Sequence, residues 1–201
     1  MLDPISLGLL MALGAGGAAA VTRWRRRRAR VAAQPAVASA KAAGGGDEPT
    51  GPRVSREAGA YRVGEVLLFL GEEYWLSGEL ALVREATPSL TLFVAPERAQ
   101  DRWLAAPRQG DVLYALQADD ALLKLGWPGV EVPSDGATLR RVEEGACTIV
   151  ASGEAPDGWS GAGRYAVFRA METVAVVVEH GANRLALKGK TVPRRMVERL
   201  G

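Results

Sequence analysis

The chain has 201 residues, of which 48% are hydrophobic and 24% charged, a composition typical of one folded domain with an accessory segment. Six of its 25 basic residues are arginines between positions 23 and 30, and the other 19 face 23 acidic residues. A nucleic-acid-binding surface on the main domain is therefore not expected. The single cysteine, Cys147, excludes an intrachain disulfide and is typical of a reducing compartment.

An uncharged run opens the chain. Residues 4–22 carry no charge, and a helix of this length reaches roughly 28 Å, close to the hydrocarbon thickness of a bilayer. We therefore predict that residues 1–30 form a transmembrane anchor with an arginine-rich cytoplasmic flank. The flank consists of Arg23, Trp24, Arg25, Arg26, Arg27, Arg28 and Arg30.

The position of the flank predicts the orientation. Basic residues stay on the cytoplasmic side, so the domain after the anchor is expected in the cytoplasm, with the protein crossing the inner membrane once. Two alternatives remain open. The run is also compatible with a cleaved secretory signal, since residues 18–20 are all alanine, although its positive charge follows the apolar run instead of preceding it. The other alternative is a helix lying on the membrane surface.

Small residues recur every four positions within the predicted anchor. Such a ridge allows two transmembrane helices to approach closely, and it predicts a homo-oligomer formed through the helix. An alanine- and glycine-rich run also produces this spacing by chance. The ridge consists of Gly8, Ala12, Gly16 and Ala20.

Residues 31–59 are predicted to be a disordered linker. Glycine, proline and polar residues dominate the later part of this segment, which has little apolar material for a core. The linker would hold a soluble β domain, residues 60–201, away from the bilayer.

Short apolar runs separated by turn residues begin at Tyr61. Runs of this length are typical of β-strands. Residues 117–125 fit a strand or a helix equally well. In the first half of the domain we expect strands at residues 66–70, 74–76, 79–83, 90–94, 102–105 and 112–116.

The second half repeats the pattern after an irregular stretch. Residues 63–66 and 144–147 open the two halves in a similar way, which suggests an internal duplication. Pro193 at a first-turn position predicts a short C-terminal helix, with Val192, Met196, Val197 and Leu200 along one face. The strands expected here are residues 146–151, 164–168, 174–179 and 184–188.

These elements predict a mainly β fold. No long amphipathic helix separates the strands, which argues against a doubly wound α/β fold. The domain is expected to be a small antiparallel β-sandwich or barrel of two meander-like halves with a short C-terminal helix.

Glycine and aromatic residues recur at the ends of the predicted strands. They stand in residues 61–78 (YRVGEVLLFLGEEYWLSG), 102–104 (RWL), 144–146 (EGA) and 187–192 (LKGKTV). In these segments the chain resembles the bacterial domain-of-unknown-function family 4178, over about residues 60–200. It departs from the pattern at residues 89–92 (SLTL), where a tryptophan is expected. The family has no assigned activity, so the resemblance implies a fold and no mechanism.

No pattern in the sequence indicates an enzyme or a cofactor. His180 is the only histidine, and with one cysteine it provides too few ligands for zinc. The adjacent acidic residues, such as Glu72 and Glu73, are typical of solvated turns. The glycine-rich residues 158–163 lack the lysine and the following helix of a phosphate-binding loop. Cys147, within an apolar run, is expected to be a buried thiol with a raised pKa.

Two tryptophans are candidates for partner contact. Trp127 and Trp159 are flanked by glycine or proline or both, which predicts that they lie on loops. Packing within the domain is the competing interpretation.

Three functions follow from these expectations. The first is a membrane-tethered module that binds or scaffolds an unknown protein partner on the cytoplasmic face. The second is a β-barrel sensor for a small ligand or lipid, which requires an apolar cavity near Trp127 or Trp159. The third is an enzyme with an unrecognised carboxylate site. No nucleic-acid partner is expected.

Overall fold

A computed structural model of the chain describes residues 60–69, 71–97, 100–134 and 136–200. The predicted anchor, its arginine flank, the small-residue ridge and the linker all lie outside these residues. Among the described residues, no helix is long and apolar enough to cross a membrane.

Twelve strands and one short helix make up the described part of the chain. A single 3-10 turn, Arg194–Met196, precedes the last strand. The helix, α1, spans Asp120–Lys124. The strands are β1 (Val66–Phe69), β2 (Glu72–Trp75), β3 (Gly78–Arg84), β4 (Thr87–Ala95), β5 (Arg102–Pro107), β6 (Val112–Ala118), β7 (Glu131–Ser134), β8 (Ala137–Gly153), β9 (Gly161–Ala170), β10 (Thr173–His180), β11 (Asn183–Pro193) and β12 (Val197–Leu200).

Eight of the strands form a closed antiparallel barrel. Strands β3 to β6 follow one another as a meander, and strands β8 to β11 form a second meander. The two meanders join where β6 pairs with β11 and where β3 pairs with β8. Of the predicted alternatives, a sandwich or a barrel, the domain is a barrel, and its mainly β character is confirmed.

The remaining strands and the helix cover the outside of the barrel on two sides. Strands β1, β2 and β12 form a three-stranded sheet, here called the small sheet. Its residues Leu67 and Tyr74 pack with Phe93, Leu104 and other outward side chains of the barrel. On a second side, side chains from α1, β7 and β8 cover the outward faces of β9, β10 and β11, in a cluster formed by Leu122, Val132, Leu139, Ala166, Phe168, Ala175, Val177 and Ala186.

The predicted C-terminal helix is wrong. Pro193 is followed by the 3-10 turn and then by β12, which pairs with β1 so that Leu200 lies opposite Val66. The pairing satisfies backbone groups of residues 197–200 as a strand, and Val197 packs partly buried against the cluster beneath the small sheet. The segment of uncertain type, residues 117–125, contains the end of β6 and helix α1, which the Asp119 side chain caps by accepting from the Leu122 amide at 2.7 Å.

The suggested duplication does not align with the two meanders. Residues 144–147 lie within β8 of the barrel, whereas Val66 begins a strand of the small sheet. The meander that corresponds to β8–β11 begins at Gly78 instead.

Candidate functional site

Apolar side chains fill the middle of the barrel. Alternate residues of a strand point to opposite faces, and the contacts with the small sheet show which residues of β4 to β6 point outward. The inward positions are buried core, represented by Leu80, Leu82, Leu92, Leu116, Ile149, Val167, Val176 and Leu187.

Polar side chains line the inside of the barrel at one end, next to the β3–β4 and β9–β10 turns. This end is called the polar mouth. Its centre is Tyr165, which is fully buried and donates a hydrogen bond to Glu143. Ser89 and Arg84 lie near the same hydroxyl, where both favour the ionised form of Tyr165 and so act to lower its pKa. The members of the polar mouth are Arg84, Ser89, Tyr114, Glu143, Tyr165, Arg169 and Thr191.

The Tyr165 hydroxyl uses its one proton in the hydrogen bond to Glu143. Burial raises the pKa of Tyr165, and the hydrogen bond to Glu143 raises it further, while Ser89 and Arg84 oppose the rise. Tyr165 is therefore held as a neutral phenol that donates to one carboxylate.

Gly145 makes room for the Arg84 guanidinium. A Cβ atom at this position would lie 3.1 Å from Arg84 Cζ and Nη1. Cys147, two residues further along β8, is buried, and burial raises the pKa of its thiol to about 11 despite the opposing charge of Arg84. The expectation of a buried thiol with a raised pKa is confirmed.

Two donors of the polar mouth have no partner among the described residues. The Tyr114 hydroxyl makes no hydrogen bond there, yet it is not one of the fully buried unpaired atoms, so it reaches solvent. The Arg169 guanidinium makes no hydrogen bond or ion pair with a described residue. Burial raises the pKa of Tyr114 and the positive charge of Arg169 opposes this rise, so the two groups are close enough to interact. Thr191 lies directly opposite Tyr114 and faces the same interior.

The turns beside the polar mouth carry unusual backbone conformations. Among the described residues, the non-glycine residues with positive φ are Glu85 at 49°, Ala86 at 66° and Met171 at 51°. All three lie in the β3–β4 or β9–β10 turn, and Met171 is 97% exposed. Positive φ at both residues of a two-residue hairpin turn fits the twist of the flanking strands, so Glu85 and Ala86 close the β3–β4 hairpin tightly beside the polar mouth.

The opposite end of the barrel has an open cleft of about 390 Å³ beside the β8–β9 connection. Trp159 is buried in its wall, with its ring 6.5 Å from that of His180. The His180 imidazole Nδ1 lies 2.8 Å from the Ala162 carbonyl oxygen, which satisfies one ring nitrogen. Ser152, Ser160 and other residues of the connection line the remainder. Trp159 thus lies on a loop, as predicted, and its side chain is packed within the domain.

Trp127 also lies on a loop, where it joins a network of charged side chains on the outside of the barrel. Its indole nitrogen donates to Glu144 at 3.2 Å, and the Arg164 guanidinium lies 4.0 Å from its ring centroid. Arg164 and Arg184 both bind Glu179. Trp127 is half-buried against the cluster that includes Phe168. These contacts attach the connection after α1 to the barrel, and partner contact by Trp127 or Trp159 stays a hypothesis.

The outward face of the small sheet is partly apolar. Leu200, Val66 and Trp75 lie side by side across the three strands, and Trp75 is 50% exposed. In the next row Leu68 lies between Glu198 and Glu73. Neither carboxylate forms an ion pair with a described residue.

The described residues contain no group of three or more His, Cys, Asp or Glu side chains that is arranged to hold a metal ion. Glu179 and His180 do not act as a pair, since Glu179 binds two arginines while His180 contacts a backbone carbonyl.

Comparison of the chain with models of known families, with curated proteins and with solved structures finds no match. The functional proposals below therefore rest on the contacts and exposure of the described residues.

Sequence reasoning missed the polar mouth. Its residues come from six strands, and a single polar residue within or at the end of a strand resembles an outward or turn position. One feature of the sequence does indicate the site: Tyr165 and Arg169 alternate with Val167 so that all three lie on the same face of β9. The sequence predicts Trp75 within a strand. It does not predict the exposure of Trp75, because this depends on which face of the small sheet packs against the barrel.

Proposed function

We propose that this chain is a membrane-tethered, non-enzymatic binding module. In this proposal residues 4–22 cross the inner membrane once, the β domain lies in the cytoplasm, and residues 31–59 are the tether. The observation that supports binding is the apolar row Leu200–Val66–Trp75 on the outward face of the small sheet. Half-exposed tryptophans on such faces are typical of protein contacts. Membership of the bacterial family 4178 is likewise proposed, on the resemblance alone.

The occupant we propose is a partner-protein segment with apolar side chains flanked by lysine or arginine. Glu73 and Glu198 stand on either side of Leu68, next to the apolar row, and neither is neutralised by a described basic residue. A basic segment would pair with both carboxylates, whereas an acidic one would be repelled. The filled barrel interior favours this outer surface over the core as the binding region.

The test uses the full-length chain in neutral-lipid nanodiscs and two synthetic peptides, one alternating leucine with lysine and one alternating leucine with glutamate. We expect the lysine peptide to bind more tightly. Trp75→Ala should weaken it by about 2 kcal/mol, roughly 30-fold, as for a central interface tryptophan. Glu73→Lys with Glu198→Lys should reverse the preference between the peptides.

Met171→Ala is the matched control, because Met171 is 97% exposed and lies in the β9–β10 turn, outside the small sheet. It should leave peptide binding unchanged. Equal binding of the two peptides, or an effect of Met171→Ala as large as that of Trp75→Ala, would contradict the proposal. Loss of self-association on Trp75→Ala would identify a second copy of this chain as the occupant instead.

The membrane part of the proposal has its own test. A proximity-labelling reporter fused after Gly201 is compared in the full-length chain and in a chain that lacks residues 1–30. We expect the full-length fusion to sediment with membranes and to label cytoplasmic proteins that the truncated one misses. A reporter located outside the cell, or a full-length chain free of membranes, would refute the tether.

The alternative function, a barrel sensor for a small ligand or lipid, is favoured by a separate observation. The polar mouth has open donors at Tyr114 and Arg169, although the interior behind them is filled. A ligand would therefore bind at the rim of the barrel and not within it.

A further inference from the structure

We propose that the polar mouth binds an oxyanion, a phosphate or carboxylate group, with Arg169 and Arg84 as the charged donors and Tyr114 and Thr191 as hydroxyl donors. This inference goes beyond the binding of a partner by the small sheet, because it concerns a different surface and a different chemistry.

The charge of the polar mouth favours an anion. Arg84 and Arg169 bring two positive charges, and Glu143 brings the one negative charge of the group. Glu143 is already engaged by the Tyr165 hydroxyl. Glu85, in the adjacent β3–β4 turn, also interacts with Arg84, so Arg169 is the cation of the group that no described carboxylate neutralises. Arg169 lies at a strand position that faces the barrel interior.

Both guanidinium and hydroxyl groups of the polar mouth can donate hydrogen bonds to an anion. A guanidinium has five N–H groups. The Arg84 guanidinium lies near the Tyr165 hydroxyl, and Arg169 makes no hydrogen bond with a described residue. The Tyr114 hydroxyl reaches solvent next to Arg169. Arginine with hydroxyl donors is the combination that proteins use to bind oxyanions, since the charge-assisted bonds are short and directional.

The donors are also held in place. Tyr114, Arg169 and Thr191 lie on paired barrel strands instead of mobile loops, and such positions support precise binding geometry. The mouths of barrels are frequent sites for small ligands. The absence of a side chain at Gly145 leaves space for the Arg84 guanidinium at the rim.

Two sources provide this chemistry, a free phosphate and the headgroup of an anionic lipid. The test therefore has two arms, both with the full-length chain and with the arginine side-chain N–H signals read by NMR. In the first arm, inorganic phosphate is added to the chain in phosphatidylcholine nanodiscs. In the second arm, the nanodiscs contain phosphatidic acid and no phosphate is added.

We expect saturable shifts of the Arg169 signal in at least one arm. Arg169→Gln should weaken binding about tenfold or more, as expected for the loss of a charge-assisted hydrogen bond. Lys190→Gln is the control, because Lys190 precedes Thr191 on the same strand, is exposed, and points outward, and the variant removes the same charge. It should change the affinity less than twofold.

Glu143→Gln provides a second test if Arg169→Gln does not fold. It removes the negative charge and keeps an acceptor for Tyr165, so it should tighten binding at least threefold. Shifts with phosphate, or with phosphatidic acid alone, would support the site and name its source. The absence of shifts in both arms, equal affinity in Arg169→Gln and the native chain, or weaker binding by Glu143→Gln would overturn it.

Discussion

Gly189 lies where the two meanders join, and its replacement by alanine tests the closure of the barrel. A Cβ atom on Gly189 would lie 1.9 Å from the Ala115 carbonyl oxygen, whereas real Cβ contacts stay beyond 3.0 Å. Strands β6 and β11 would have to separate by about 1 Å, because the obstacle is backbone and not a flexible side chain. Overpacking of this kind costs about 3 kcal/mol, at the upper end of the usual range.

The measurement is the thermal unfolding of the full-length chain, followed by circular dichroism. A loss of about 3 kcal/mol should lower the Tm by about 10 °C in a domain of this size. Gly129→Ala is the matched control, because a Cβ atom there meets nothing within 4 Å and the backbone has no positive φ. If the two variants have the same Tm, strands β6 and β11 do not approach as described and the barrel is not closed at this pair.

Three further predictions concern single side chains. Burial raises the pKa of Cys147 to about 11, so at pH 8 only about one thiol in a thousand is ionised. Cys147 should therefore react with a thiol reagent only after unfolding, and rapid labelling of the folded chain would contradict this. Burial alone would raise the pKa of Glu179, but hydrogen bonds from Arg184 and Arg164 outweigh burial and lower the pKa. The stabilising contribution of Glu179 is therefore present at pH 7 and is lost as the pH falls below 4.5, the ordinary pKa of a glutamate. Glu179→Gln should therefore cost less than about 1 kcal/mol at pH 7 and flatten the acid side of the stability profile, and an unchanged acid side would refute the assignment. Trp127→Ala should lower the free energy of unfolding by about 2 kcal/mol, since its packing and its contact with Arg164 are lost; unchanged stability would favour partner contact instead.

Most strands could be predicted because a strand that is buried on one or both faces requires a run of apolar residues. Residues 174–179 and 90–94 were located within a few positions of β10 and β4 for this reason. Only the last third of strand β8 is predicted, since the strand begins at Ala137 and the residues of its first half, apart from Leu139, are half-buried or exposed and mostly polar. Strand β7 escaped notice because Pro133 lies in a four-residue edge strand.

The candidate site could not be predicted to the same extent. Its members are separated by up to about a hundred positions in the chain, from Arg84 to Thr191, and only the pairing of β6 with β11 and of β8 with β9 brings them to one mouth. Glu143 faces the interior in step with Gly145 and Cys147, whereas the register shift between Arg141 and Glu143 turns Leu139 and Arg141 to the outer face. A shift of one residue exchanges the two faces of a strand, and no local pattern indicates it.

The sequence by itself determined the mainly β character of residues 60–201, the approximate places of most strands, the loop positions of Trp127 and Trp159, and the burial of Cys147. These properties depend on apolar runs and turn residues, which act locally. The tertiary structure alone decided that the sheet closes into a barrel, that residues 197–200 form a strand beside β1 instead of a helix, and that the polar mouth exists. Each of these depends on pairing between distant segments, whose free energy comes from long-range hydrogen bonds and packing that no local stretch of sequence contains.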